Sequence, residues 1–319
     1  MRWIQLSVKS VLSQTFSEFE IVFVDSGSTD GTIEWLRSLT DKRVKIYETV
    51  GRLNIVENWS RFSTLPKAKY MTIMGHDDIL YPTYLETIDK LIESHPEAGL
   101  FQTHFNFIDG KGDMIRKCAS MKPRYSPAEL VEHILQHKIE ITATGFMMLS
   151  EKYDGIGGIP DYPNLLYADT ELWIRMILDS YLVVSPVLCF DFRFHIENTS
   201  KSAGNIRLVA FERMVDFLNG LKNENEGFRQ IIDRNAEAFL KNYAIGSCHK
   251  LIYVPKQNRG DVTMDKIIAS AKRSAHKLLP AVQFEPNKFH QISIAKTIDS
   301  NVLLRKLFLF VKSLKKRTF

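Results

Sequence analysis

The stretch "EFEIVFVDSGSTDGT", Glu18 to Thr32, decides how the rest of the chain is read. Its first eight residues are rich in β-branched and aromatic side chains, which suit a pleated, half-buried strand. The run ends at Asp25 in a cluster of Ser, Gly, Thr and Asp, the residue types of turns and helix caps. "DGTIEWLRSL" then takes up helical spacing, with Asp30 placed as N-cap and Ile33, Leu36 and Leu39 on one side. Working outward, the same alternation continues. "RVKIYE" reads as a strand, "NIVENWSRFSTL" as a helix and "KYMTIM" as a third strand. "PTYLETIDKLIESH" reads as a helix with Pro82 in its first turn, and "AGLFQTHFNFID" as a further strand. Strands alternating with helices predict parallel pairing through crossovers, hence a layered α/β domain.

From Gly110 to Pro127 the pattern gives way to a basic, turn-rich segment. "SPAELVEHILQH" restores a helix, with Ser126 and Glu129 spaced as a capping box. "ITATGFMMLS" reads as a strand, "YADTELWIRMILDS" as an amphipathic helix starting near Asp169, and "YLVVSPVLCFDFRFH" as an extended segment interrupted by Pro186. Past about residue 205 the strand signal fades and "AFERMVDFLNGL", "RNAEAFLKNYAIGSCHKLIY" and "MDKIIASAKRSAHKLL" read as helices. This divides the chain into an α/β domain, residues 1–204, and a helical region, residues 205–319.

Composition narrows the class. The 319 residues are 45% hydrophobic and 25% charged, with ample apolar material for a core. A formal net charge of +5 is too mild to argue for nucleic acid. Cys118, Cys189 and Cys248 lie far apart and share no metal-ligand spacing, so they are expected as free thiols. No apolar run approaches the roughly 18 residues of a spanning helix. The first residues, "MRWIQLSVKSVLSQ", have neither a signal-peptide core nor a cleavage site, which points to the cytoplasm. The last residues, "NVLLRKLFLFVKSLKKRTF", carry six cations and no acid beside a broad apolar surface. They read either as a helix packed on the domain or as one lying on an anionic membrane at its inner face.

The chemistry concentrates in acids at strand ends. In open parallel sheets, ligands bind at the carboxyl ends of strands. Asp25 is one such residue; Asp77 and Asp78 in "MGHDDILYP" are a second site. Acids gathered in one crevice repel each other unless a cation or hydrogen bonds relieve them. A hard divalent ion needs only one or two carboxylates where a substrate phosphate supplies the remaining oxygens. Asp77 would hold such an ion and Asp78 would shape the turn; the plain alternative is that both cap a helix. Asp169, at a helix start, suits either an N-cap or a general base, with Glu171 turned well away from it on the same helix. His195 in "FRFHIENTS" suits a structural role, a metal ligand or a phosphate donor, and Arg52 in "ETVGRLN" follows a strand where a phosphate could meet it.

Taken in order, "SVKSVLSQTFSEFEIVFVDSGSTDGT", "YMTIMGHDDILYP" and "ADTELWIRM" resemble the family 2 glycosyltransferases of GT-A fold, over roughly residues 5 to 205. The resemblance implies a Rossmann-like, mixed and mainly parallel sheet flanked by helices, here with a C-terminal helical extension. It implies transfer of a sugar from a nucleotide diphosphate sugar to an acceptor hydroxyl, usually with inversion and with Mg²⁺ or Mn²⁺. Carried over position by position, Asp25, Ser26, Asp77 and Asp78 would bind the nucleotide sugar, Asp77 and His195 the metal, and Asp169 would be the catalytic base. A glycan or lipid-linked acceptor is implied, in surface polysaccharide or glycolipid synthesis. Three departures stand out. Ser26 occupies the place of a second acid, and Gly75 the place of the first acid in the family's acidic motif. The family's buried first strand, which precedes the "SVLSQTF" helix, is absent. That absence would leave two strands with unpaired backbone groups, at about 1–3 kcal/mol for each buried one, and it suggests a misplaced start. The rival readings are an inactive nucleotide-sugar-binding relic and a nucleotidyltransferase, the latter disfavoured because no Gly-rich basic phosphate loop is visible.

Overall fold

The computed structural model describes residues 1–194 and 205–316. The chain divides into two compact units, Met1–Lys201 and Ser202–Phe319. The first unit contains α1 (Arg2–Leu12), β1 (Ile21–Val24), α2 (Thr32–Arg37), β2 (Val44–Tyr47), α3 (Ile55–Ser60), β3 (Tyr70–Thr72), β4 (Ile79–Leu80) and α4 (Tyr84–Ser94). Then come β5 (Leu100–Ile108), β6 (Met114–Lys117), β7 (Arg124–Tyr125), α5 (Pro127–Leu135), β8 (Met147–Leu149), α6 (Ser150–Gly155), α7 (Ala168–Met176) and β9 (Leu182–Arg193).

The α/β class is as expected, with β1 and β2 in a two-stranded sheet and the other seven strands in a mixed one. β1 and β2 pair in parallel, as do β5 and β9. The neighbour relations differ from simple alternation, because β8 inserts antiparallel between β3 and β5, giving the order β3-β8-β5-β9-β4. Among the described residues β1 pairs only with β2, and β3 only with β8. The turn-rich basic segment is itself structured, since β6 pairs with β5 and β7 with β9. Pro186 does not end its strand. The register with β5 jumps from Thr103↔Ser185 to His104↔Leu188, so Pro186 and Val187 form a bulge in a strand that continues to Arg193. The capping box of Ser126 and Glu129 is present, and Asn54 with Glu57 makes another. Pro82 lies ahead of α4 rather than in its first turn, the N-cap being Thr83. Asp30 accepts the Thr32 N–H at 3.2 Å, but the N-cap position of α2 is Gly31.

α1 ties together strands that are distant along the chain. Val8 packs with Ile33, Leu36, Phe23 and Ile46 over the β1–β2 layer. On its other side, Ser10 Oγ accepts the Leu80 N–H at 3.1 Å, while Gln14 Nε2 donates to Tyr81 O at 2.8 Å and its Oε1 accepts the Leu85 N–H at 2.9 Å. Ser10 and Gln14 of "KSVLSQ" are thus buried because they satisfy the backbone around β4. The large core side chains Phe105 and Phe190 stack at 4.7 Å between β5 and β9.

The second unit is helical: α8 (Asn205–Glu224), α9 (Glu226–Tyr253), α10 (Met264–Leu278), α11 (His290–Ser300) and α12 (Val302–Lys316). Asn225 caps α9 and Thr263 caps α10. A buried fork pairs Arg259 with Asp299 at 2.7 Å through both nitrogens. No helix among the described residues is long and apolar enough to cross a membrane. Cys118, Cys189 and Cys248 are free thiols, with Cys189 and Cys248 buried.

Candidate active site

The β1 end is built by hydrogen bonds of its own. Asp25 Oδ2 accepts the N–H groups of Gly27 at 2.7 Å and Ser28 at 3.0 Å, folding "DSGS" into a tight turn. Burial works upward on this carboxyl, but the bonds from Ser28 and Gly27 and the nearby Arg61 charge outweigh it, holding Asp25 below the ordinary aspartate range. Arg61 joins the ends of β1 and β2 by donating to Asp25 O at 2.6 Å, Tyr47 O at 3.0 Å and Glu48 O at 3.0 Å. Ser26 accepts the Leu53 N–H on its carbonyl at 2.9 Å, so the "ETVGRLN" loop that holds Arg52 rests on the Asp25 turn.

Gly27 is what permits that contact. Its φ is +89°, and a Cβ there would sit 2.7 Å from Gly51 O and 2.9 Å from Arg52 Cα. Gly27→Ala is therefore expected to lower stability by about 1–3 kcal/mol. Thermal unfolding checks this, and an unchanged melting temperature would discard the loop contact.

At the β3 end, Asp77 is half-buried and Asp78 buried. Asp78 Oδ1 accepts the Arg193 N–H at 2.7 Å, and Oδ2 accepts the Thr144 hydroxyl at 2.5 Å. The N–H that satisfies Asp78 thus comes from β9. Burial first, and the neighbouring Asp77 charge second, push Asp78 up to about 7 against these bonds. Arg193, itself 1% exposed, also donates through Nε to Asp77 O at 2.8 Å and through Nη1 to Asp109 O at 2.9 Å. Gly75 is more than a missing acid. A Cβ at this position would come within 2.8 Å of Asp77 Oδ1 and 3.0 Å of Asp78 Oδ2, so its absence makes room for both carboxylates.

Asp169 is not a helix cap. The N-cap of α7 is Tyr167 and Asp169 lies one residue inside the first turn, its Oδ1 accepting the Thr170 N–H at 2.8 Å. Surrounding bulk raises its carboxyl to about 6, the Thr170 bonds opposing only in part. The segment that presents it carries φ values of +51° at Asn164, +56° at Leu165 and +70° at Tyr167. Left-handed backbone at Leu and Tyr costs on the order of 1–3 kcal/mol per residue and persists only where packing enforces it. Glu171 is occupied elsewhere, since it accepts the Tyr162 hydroxyl at 2.5 Å and pairs with Arg175.

Shared packing links the three acidic places. Gly75 N–H donates to Thr144 Oγ1 at 2.9 Å, Thr142 Oγ1 donates to Thr144 O at 2.9 Å, and Trp173 Nε1 on α7 donates to Thr142 O at 3.0 Å. The Asp77–Asp78 turn and the helix of Asp169 are thus held by one loop. Gly145 in that loop, at φ +91°, lets the Phe190 ring approach. On the other side, α3 packs against residues 163–165, and Asn58 on α3 donates to Val24 O at 3.0 Å beside Asp25. No group of three His, Cys, Asp or Glu that could hold a metal occurs among the described residues. His195 lies outside the described residues. Thr144, Arg193 and Arg61 were not singled out from the sequence. An arginine two residues after Asp191 in the largely apolar "CFDFRF" run was the available signal, because a charge there must be matched.

Comparison with known proteins supplies the context. Residues 2–155 match the family model described as glycosyl transferase family 2. An uncharacterized glycosyltransferase of Haemophilus influenzae is 25% identical over 43% of this chain, and the match spans 41% of that relative. Another, RP339 of Rickettsia prowazekii, is 25% identical over 75% of this chain and 74% of its own length. The O-antigen biosynthesis glycosyltransferase WbnJ of Escherichia coli is 26% identical over 63% of this chain and 78% of its own. Among solved structures, S. aureus TarS 1–349 in complex with UDP-GlcNAc superposes with a TM-score of 0.60, at 14% identity over 88% of this chain and 87% of that one. The mannosyltransferase PcManGT of Pyrobaculum calidifontis, in complex with GDP-Man and Mn²⁺, gives 0.51, at 13% identity over 96% and 79%. At these identities the structures establish the GT-A-like fold.

Proposed function

We propose, from the match of residues 2–155 to the model of glycosyl transferase family 2, that the chain moves a sugar from a nucleotide diphosphate sugar to an acceptor hydroxyl with inversion. The supporting observation is the pair of differently tuned acids held by one loop: Asp169 raised to about 6, and the Asp77–Asp78 turn joined to it through Thr142 and Thr144. A carboxyl near 6 is ionised at neutral pH yet more basic than an exposed aspartate, which suits a general base.

In this reading Asp169 takes the acceptor proton as the hydroxyl oxygen attacks the anomeric carbon. The bond from that carbon to the diphosphate breaks on the opposite face, and the nucleoside diphosphate leaves with the electron pair. Asp25 has one oxygen committed to its own turn, and the other would accept a bond from the nucleoside. Both Asp78 oxygens are engaged, and Asp77, half-buried beside it, is the carboxylate proposed to meet a divalent cation. A single carboxylate completed by phosphate oxygens suits Mg²⁺ or Mn²⁺. When bound, such an ion would neutralise charge developing on the departing diphosphate. Acceptors of surface polysaccharide or glycolipid type, and peripheral contact with an anionic membrane through residues 301–319, belong to the same proposal.

The test is transfer of labelled sugar from a panel of UDP- and GDP-sugars with Mn²⁺, comparing the parent chain with Asp77→Ala. Turnover by the parent, reduced by about 10²-fold or more in the variant, is expected. Donor binding without turnover in both would replace this reading with that of a nucleotide-sugar-binding relic.

A further inference from the structure

We infer that α12 is a fixed, surface-lying anchor whose outward ridge of Leu303, Leu307, Phe310 and Val311 seats in the headgroup region of an anionic lipid bilayer. The inference sharpens the membrane contact included in the proposed function and does not depend on the transfer chemistry. Three observations carry it.

The ridge is exposed over much of its area. Leu303 is 76% exposed, Phe310 60%, Leu307 59% and Val311 43%. At about 100° per residue these four fall on one side of the helix, with Leu304 at its margin. The opposite side is the one that packs. Arg305 donates from Nε to Ile252 O at 3.0 Å and from Nη2 to Val254 O at 2.9 Å, where α9 ends. Phe308 meets the Tyr253 ring at 5.7 Å. Asn301 Oδ1 accepts the N–H groups of Leu303 at 2.9 Å and Leu304 at 3.1 Å, stopping the helix from fraying at its start. The helix is therefore held by one face while the other presents apolar area, and such a face in a folded unit marks a contact surface.

Charge selects the occupant. Residues 301–319 hold six of the chain's 42 Lys and Arg residues and none of its 37 Asp and Glu residues. The excess that makes the chain +5 is therefore located in this tail, and the remainder is close to neutral. Two copies meeting ridge to ridge would bring two such cationic tails together, which like-charge repulsion opposes. An anionic lipid surface satisfies both the apolar ridge and the cations.

The described helix suits a surface pose. Its fifteen residues, Val302 to Lys316, reach about 22 Å at about 1.5 Å each, and no helix among the described residues is long and apolar enough to cross a membrane.

The experiment is flotation of the full chain with vesicles of phosphatidylglycerol and phosphatidylcholine in equal parts, and with phosphatidylcholine alone. The parent should float with the anionic vesicles, be released by high salt and ignore the neutral ones. Leu303→Asp with Leu307→Asp should lower the anionic partition coefficient by at least about tenfold while leaving the melting temperature unchanged, because both side chains are largely in water. Lys306→Glu with Lys312→Glu should lower it comparably. Failure of the parent to float, or flotation of the ridge variant at the parent's level, overturns the inference. So does a concentration-dependent dimer that Leu307→Asp dissolves and that floats with neither vesicle. No donor sugar enters the assay, so loss of transfer activity would leave its outcome untouched.

Discussion

Asp169→Asn is expected to reduce sugar transfer by about 10²–10⁴-fold while leaving donor affinity unchanged. The amide keeps the acceptor oxygen that the Thr170 N–H uses at 2.8 Å but cannot take a proton. The pH dependence follows from the raised carboxyl. With a folded value of about 6, the proposed base is protonated below that pH. The parent's kcat/KM should therefore fall about tenfold per unit below 6 and level off above it, and this limb should be lost in the variant. Linkage adds a second readout. The folded value lies above the roughly 3.9 of an unfolded aspartate, so this group favours folding most below about pH 4, and that contribution is lost as pH rises through 6. The variant lacks this loss. It should be at least as stable as the parent at pH 7, by up to about 3 kcal/mol, with the gap closing toward pH 3. A variant turning over at the parent's rate would remove Asp169 from the mechanism.

Arg193→Leu is expected to cost about 3–5 kcal/mol of stability, the largest structural effect of any substitution considered. The guanidinium is buried. It donates to the carbonyls of Asp77 and Asp109, and its positive charge partly offsets the burial of Asp78. Leucine would leave both carbonyls without these donors and the Asp78 carboxylate without a nearby cation, while keeping the backbone N–H bond to Asp78. For a unit of this size the loss corresponds to a melting point lower by about 10 °C. Arg193→Lys, which keeps the charge but not the two-pronged geometry, should lie between. Donor affinity should follow the same order, because the carbonyl that Arg193 grips belongs to the residue proposed to face the diphosphate. Melting curves superposing on the parent's would show that the Asp77–Asp78 turn does not need Arg193.

The elements written in local pattern are those that match. β1 and β2 were legible from β-branched runs, and α5 from the Ser126–Glu129 box, because each is decided within a few residues by side-chain geometry. Boundaries shifted where the competing signals were close. Asp30 and Gly31 both suit a helix start, and the φ of +84° that Gly31 can adopt places the N-cap there. The left-handed segment from Asn164 to Tyr167 had no signature, since Leu and Tyr ordinarily avoid that region and only packing on α3 and around α7 holds them in it.

By itself the sequence determined the α/β class, the helical character of the region after 205, the positions of the acids at strand and helix ends, and the cationic apolar tail. These follow from residue spacing and charge, which need no knowledge of partners. Only the tertiary structure decided that β8 separates β3 from β5, and that Thr144 and Arg193 hold Asp78 from 66 and 115 residues away. It alone decided that Asp169 is a half-buried carboxyl with a raised pKa rather than a cap, and that one face of α12 is exposed. A pKa, a buried charge and an uncovered face depend on what is packed within a few ångströms, and the groups concerned are brought there by strands and helices far apart along the chain.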